Sequence, residues 1–335
     1  MCSQARVGSS VTTLCKLSTF PNYDSAAAID VIDAYGISRK DFARRYVNMN
    51  RPCLIKRAVE HWPAFSKWAN PDYLRTASTN QDVTVRSSAV SEVIGWSGTK
   101  IRDDLRQHAA ASYHPMPFHD FLTALETDED TLVADSCRFS EGSPIQMMKT
   151  DVGGLPFMPV LPRSRRYPPH RVFLYKNSYT DWHFHSTDET FMTQVLGKKE
   201  ILLLPPDEAT WVRLRPLIEE KGYLFDIDLD AFPSARDLRP IRATVEPGDA
   251  MYIPVFWWHA VESIGQGVGA TVAATFRTPL HINGDIRFPV ARKLARTHIM
   301  SRNAPLVIGM VAYSTVYRLA RRMSFSGSPS FTILP

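Results

Sequence analysis

The feature that most constrains the fold is the crowding of short strand-like runs between residues 171 and 277. RVFLYKN, FMTQVLG, KEILLLPP, RATVEPG, AMYIPVFWWHAVES and ATVAATFR follow one another with turn residues between them. Runs of this length, rich in β-branched and aromatic residues, read as strands. Their density favours a sandwich or barrel over a parallel sheet with crossover helices. Helices are then expected to flank this β-rich part.

The rest of the chain is mixed. Residues 1–25 read as irregular. A helical pattern spans Asp24 to Asn48, with Ser38 as N-cap before RKDFARRYVNM and Phe42, Tyr46 and Val47 on one apolar stripe. Pro52 ends it, CLIKRAV reads as a strand, and EHWPAFSKW turns into a second helix. DVTVRSSA (82–89) alternates as a strand does, whereas SYHPMPFHDFLTALE (112–126) predicts a short helix on Phe121, Leu122 and Leu125. Residues 153–169 form a long Pro-rich loop carrying Arg163, Arg165 and Arg166, read as solvated cations. After Pro289, ARKLARTHIM and PLVIGMVAYSTVYRLARRM return to helix. This divides the chain into an irregular start (1–25), a central domain (26–285) and a basic helical segment (286–335).

Apolar residues make up 44% of the 335, enough for a sizeable core and too many for a disordered chain. Cys2, Cys15, Cys53 and Cys137 show no CxxC spacing, which points to a reduced, cytoplasmic protein. The longest apolar stretch, Ala304 to Tyr313, is too short to span a bilayer, so no transmembrane segment is expected. The net charge of +5 is uneven: residues 286–335 carry eight basic side chains and no acid, so +5 less 8 leaves −3 for residues 1–285. A basic segment of this kind can attract an anionic partner such as RNA or a phosphorylated metabolite. Its helices have apolar faces that must pack on the barrel or on a second copy, and a homodimer built on residues 288–323 is the expectation.

The residues that carry chemistry begin at Trp182-His183-Phe184-His185. Residues i and i+2 of a strand point to one side, so the two imidazoles can converge on one point. Glu189 and Gly197 follow, then Gly248, Pro254 and His259, giving the patterns HxHx3Ex7G and Gx5Px4H. Three imidazoles on one face suit Fe(II) and leave positions open for substrate and oxygen. Trp257 and Trp258 read as barrel packing, and His170, His281 and His298 as structural.

The two patterns resemble the signature motifs of the cupin superfamily, whose fold is a double-stranded β-helix, or jelly roll, with a metal inside the barrel. The first differs by one residue between Glu189 and Gly197, and Ser263 stands where the second usually ends in Asn. A wider resemblance, over about residues 40–280, is to JmjC-type hydroxylases. It is carried by NRPCLIKRAVEHWPAFSKWANPDYL (50–74), QVLGKKEILLLPPDE (194–208) and PGDAMYIPVFWWHAVES (247–263). The resemblance implies an Fe(II)- and 2-oxoglutarate-dependent oxygenase that hydroxylates a small molecule or a side chain. It also implies that Lys199 and Thr180 hold the distal carboxylate of 2-oxoglutarate and that His183 and His259 bind the metal. The family has Asp at the position of His185. The third ligand is therefore His185, or Asp188 or Glu189 if the loop bends. Iron takes about six ligands, so three from the protein leave two positions for 2-oxoglutarate and one for O2. A fourth ligand, Glu189, would instead fit a cupin dioxygenase that does not use 2-oxoglutarate. The exchange of Asp for His also leaves open a non-catalytic binding module on this scaffold.

Overall fold

The computed structural model describes residues 16–87, 113–127, 132–158, 170–185, 188–221, 224, 227–265 and 267–276. In the C-terminal segment it describes positions 288, 289, 292, 293, 305, 308, 309, 312, 315, 316 and 319. Arg163, Arg165, Arg166, His281 and His298 lie outside the described residues.

The strands, in chain order, are β1 (Ala27–Ala28), β2 (Val31–Asp33), β3 (Cys53–Lys56), β4 (Asp82–Arg86), β5 (Tyr113–Pro117), β6 (Leu132–Cys137) and β7 (His170–Lys176). They continue with β8 (Tyr179–His183), β9 (Glu189–Leu196), β10 (Lys198–Leu204), β11 (Ile241–Val245), β12 (Ala250–Ile253), β13 (Trp258–Ile264) and β14 (Gly269–Phe276). They form two sheets, one ordered β1-β11-β10-β13-β8 and the other β2-β3-β12-β9-β14-β7-β6-β4-β5. From β7 to β14 the chain contributes four strands to each sheet, and all neighbours among these eight are antiparallel. This is the jelly roll the motifs implied, with helices outside it.

Register places the core. Ile201 and Leu203 of β10, Ala243 and Val245 of β11 and Val261 of β13 meet Met192 of β9 and Met251 and Ile253 of β12 between the sheets. The outer face of the larger sheet is covered by a second cluster, in which Phe42, Trp62, Trp68, Phe118 and Phe121 are buried. A third cluster covers the smaller sheet with Leu17, Phe20, Leu214, Leu217 and Trp258. Each such buried aliphatic or aromatic side chain contributes about 1.5–3 kcal/mol. Gly197, at φ +72, passes the chain from β9 in one sheet to β10 in the other, and a Cβ there would lie 3.1 Å from Gly269 Cα.

Two elements differ from the sequence reading. The stretch from Asp24 to Asn48 is not one helix: β1 and β2 come first, a 3-10 turn follows at Ala34–Gly36, and α-helical backbone begins only at Arg39. Ser38 is its N-cap, accepting from the Asp41 N–H, and Phe42, Tyr46 and Val47 are buried. The earlier residues are extended because β1 pairs with β11 and β2 with β3, contacts no local pattern encodes. Residues 113–117 likewise form a strand before the helix Phe118–Thr127, pairing with β4 at the sheet edge. An edge strand tolerates Pro115 and Pro117, whose missing N–H groups would break a central one. Among the described residues no helix is long and apolar enough to cross a membrane.

Candidate metal centre

His183 closes β8 and lies opposite His259, the second residue of β13. The ladder shifts between His259 and Val261, a bulge at the point where the two rings meet. His185 stands two residues beyond β8. Its ring centroid is 5.3 Å from that of His183 and 4.8 Å from that of His259, and the latter two are 4.1 Å apart. One ligand atom from each of the three lies within 4.8 Å of the others, so the trio could hold a metal ion.

The Nδ1 atoms are all engaged. His183 Nδ1 is 2.8 Å from the Asp181 carbonyl, His259 Nδ1 is 2.9 Å from the Trp257 carbonyl, and His185 Nδ1 is 2.8 Å from Thr190 Oγ1. Carbonyls only accept, so His183 and His259 donate from Nδ1 and keep the Nε2 lone pair for a ligand. Desolvation lowers the pKa of His183, and the Arg171 charge adds to this against the Asp181 carbonyl. His259 is held well below the ordinary value by desolvation, then by His183 and His185. Neutral imidazole is the metal-binding form.

The carboxylates at the site behave differently. Glu189 is buried on β9, and its Oε2 accepts from the Tyr252 hydroxyl and the Val255 N–H, both at 3.0 Å. Asp188 is fully buried beside it. Neither belongs to the group of close-lying ligand atoms, which among the described residues is the three histidines.

Lys199 shares the inner face of β10 with Ile201 and Leu203, and is itself buried. It pairs with Ser263, and Leu203 pairs with His259, so lysine and histidines line the same wall. Thr180 pairs with Val261 on that wall. The Lys199 ammonium lies 3.9 Å from the centre of the Tyr175 ring, a cation–π contact. Gly269 makes room for that ring: a Cβ there would come within 2.2 Å of it. Burial pushes the Tyr175 phenol up to about 12, so it stays protonated. Trp257 and Trp258 pack as expected, and the Trp257 indole N–H also donates to Asn50.

Arg171, Tyr175 and Thr190 escaped the sequence reading. Their only signal is alternation on β7 and β9, which most strand residues share.

A jelly roll with three imidazoles gathered at one end of its interior, able to hold a metal ion, and a buried lysine on the same wall defines a barrel of the cupin type. The comparisons agree. The chain belongs to the cupin-like domain family, whose profile matches residues 39–279. It is 27% identical over 245 residues to lysine-specific demethylase JMJ30 of Arabidopsis thaliana, covering 68% of this chain and 51% of that protein. It is 23% identical over 249 residues to tRNA wybutosine-synthesizing protein 5 of Mus musculus, covering 71% and 75%. It is 25% identical over 261 residues to bifunctional peptidase and (3S)-lysyl hydroxylase JMJD7 of Homo sapiens, covering 66% and 76%. The chain thus spans about half the length of the demethylase it matches.

Proposed function

We propose that the protein is an Fe(II)- and 2-oxoglutarate-dependent dioxygenase that hydroxylates a C–H bond of a small molecule or a protein side chain. His183, His185 and His259 hold the metal, and Lys199 and Thr180 hold the far carboxylate of 2-oxoglutarate. The observation that carries this reading is the buried Lys199 on the wall it shares with His259 and Thr180. Leu203, the position opposite His259, stands four positions along β10 from Lys199, about 13 Å of strand. The lysine stem and the imidazoles reach in from either end, leaving a span suited to a five-carbon dicarboxylate.

Bound iron supplies O2 activation coupled to oxidative decarboxylation of 2-oxoglutarate to succinate and CO2, with one oxygen atom going to the substrate. This chain's residues bind and exclude. The histidines fix the metal by their Nε2 atoms. The apolar wall of Met192, Ile201, Leu203, Met251 and Val261 keeps water from the reaction. Glu189, the fourth ligand of a dioxygenase that does not use 2-oxoglutarate, has Oε2 engaged by Tyr252 and Val255, which supports the three-ligand reading. Buried Cys53 and Cys137, which form no disulfide, support a reducing, cytoplasmic setting.

The test is succinate release under O2 with Fe(II) and 2-oxoglutarate. Lys199→Ala is expected to raise the KM for 2-oxoglutarate about 10- to 100-fold, the worth of one charge-assisted hydrogen bond. Iron bound with no succinate released would sink the reading. It would leave a dioxygenase independent of 2-oxoglutarate or a binding module.

A further inference from the structure

We propose that Thr190 and the left-handed backbone of Phe256 are positioning residues that make His185 the third metal ligand, in a ring state that the arriving ion selects. This rests on the metal centre proposed above. His183 and His259 are preset: their Nδ1 atoms face carbonyl oxygens, so each Nε2 offers its lone pair before any ion is present. His185 differs twice. It lies beyond the end of β8, outside the ladder that holds His183 against His259. Its Nδ1 faces a hydroxyl, which can donate or accept a hydrogen bond.

Two contacts replace the ladder. The Phe256 N–H donates to the His185 carbonyl at 2.8 Å, which fixes the backbone. Phe256 can aim its N–H there because its φ is +68, a conformation uncommon for a large aromatic residue. Its buried ring, 6.0 Å from Phe184 and 5.4 Å from Phe288 between centroids, holds that conformation in place.

The second contact sets the ring. Thr190 is buried on β9, with Oγ1 2.8 Å from His185 Nδ1. When the hydroxyl donates to Nδ1, the proton sits on Nε2 and the ring cannot ligate. When the hydroxyl accepts, Nε2 is open. Two ligands are therefore ready beforehand, and the third is recruited as the metal binds. An aspartate at residue 185 would need no such choice, so the Thr190 hydroxyl acquires its task from this chain's own histidine.

Anaerobic Co(II) titration, read by visible absorption, tests the idea on the full chain without turnover. Thr190→Val keeps the side-chain volume and removes the hydroxyl. It should weaken Co(II) binding about 10- to 100-fold, and Thr190→Ser should restore it to within about threefold. In the metal-free protein, imidazole nitrogen NMR shifts should show His185 in both tautomers and His183 and His259 in one. If Thr190→Val binds Co(II) as the unaltered chain does while His183→Ala does not, the inference fails and the metal centre stands. If the unaltered chain takes up no Co(II), both fall. Should Thr190→Val lower the melting temperature, the tautomers of the unaltered protein decide: a single His185 tautomer overturns the proposal.

Discussion

At the scale of the residue, the three histidines are not equivalent. His183 and His259 sit on paired strands with their tautomers set by backbone carbonyls, whereas His185 depends on a side chain and a turn. The expected outcome is graded. His183→Ala and His259→Ala should each abolish metal uptake, measured as metal content by elemental analysis. His185→Ala should weaken uptake and turnover, while His185→Asp should keep iron, because a carboxylate also suits Fe(II). Full occupancy in His183→Ala or His259→Ala would rule out this trio. Unchanged affinity and turnover in His185→Ala would turn attention to Asp188 or Glu189.

At the scale of the element, short helices outside the barrel depend on a few polar ties. Asp151 ends the 3-10 turn Gln146–Asp151 and is fully buried. It accepts from the Lys67 ammonium at 2.9 Å, the Trp68 indole at 3.1 Å and the Tyr73 hydroxyl, tying the helix Pro63–Lys67, its C-cap Trp68 and the helix Pro71–Thr76 to that turn. Burial alone would raise its pKa. The bonds from Tyr73, Lys67 and Trp68 outweigh burial and hold it below its ordinary value of 3.8. A depressed carboxylate stabilises the fold above its unfolded pKa, and that stability is lost as pH falls through the folded value. Asp151→Asn should therefore cost about 3 kcal/mol near neutral pH and flatten the acid limb of the stability curve. Urea unfolding across pH 2.5–7 checks both, at roughly the pH range where carboxylates titrate. An unchanged acid limb would assign the effect to other carboxylates.

At the scale of the whole molecule, the C-terminal segment starts docked against the helices Glu208–Pro216 and Leu217–Lys221 and the turn before β13. Arg292 pairs with Glu208, Lys293 Nζ lies 3.6 Å from Glu219, and Phe288 packs on Phe256. Further on, Ile308, Val316 and Leu319 are 59%, 64% and 50% exposed at helical positions. Their spacing of eight and three residues puts them on one side of a helix. We propose that residues 288–323 form a homodimer through this side and that the basic charge of the segment, apart from the paired Arg292 and Lys293, attracts an anionic partner. Light scattering should give twice the chain mass, and Ile308→Asp with Leu319→Asp should halve it. A monomer at micromolar concentration in the unaltered protein would exclude the dimer.

What the sequence determined by itself is what is local. Short β-branched and aromatic runs between turn residues marked β7, β9, β10, β11 and β14, and one run covered both β12 and β13. The Ser38 cap was legible because a cap is a short-range bond. The HxH spacing put His183 and His185 close together, but strand geometry holds only His183, because β8 ends there and Thr190 and Phe256 position His185. Tertiary structure decided what sequence-distant partners impose. β1 and β2 are extended only because β11 and β3 lie beside them, and residues 113–117 are a strand because β4 offers an edge. The Lys199–Tyr175 contact joins β10 to β7 across the barrel, and Gly269 of β14 makes room for it. The His185 cradle draws on Thr190 of β9 and on Phe256, in the turn before β13. No pattern within one strand encodes such meetings, because side chains on opposing walls find one another only once both sheets have closed.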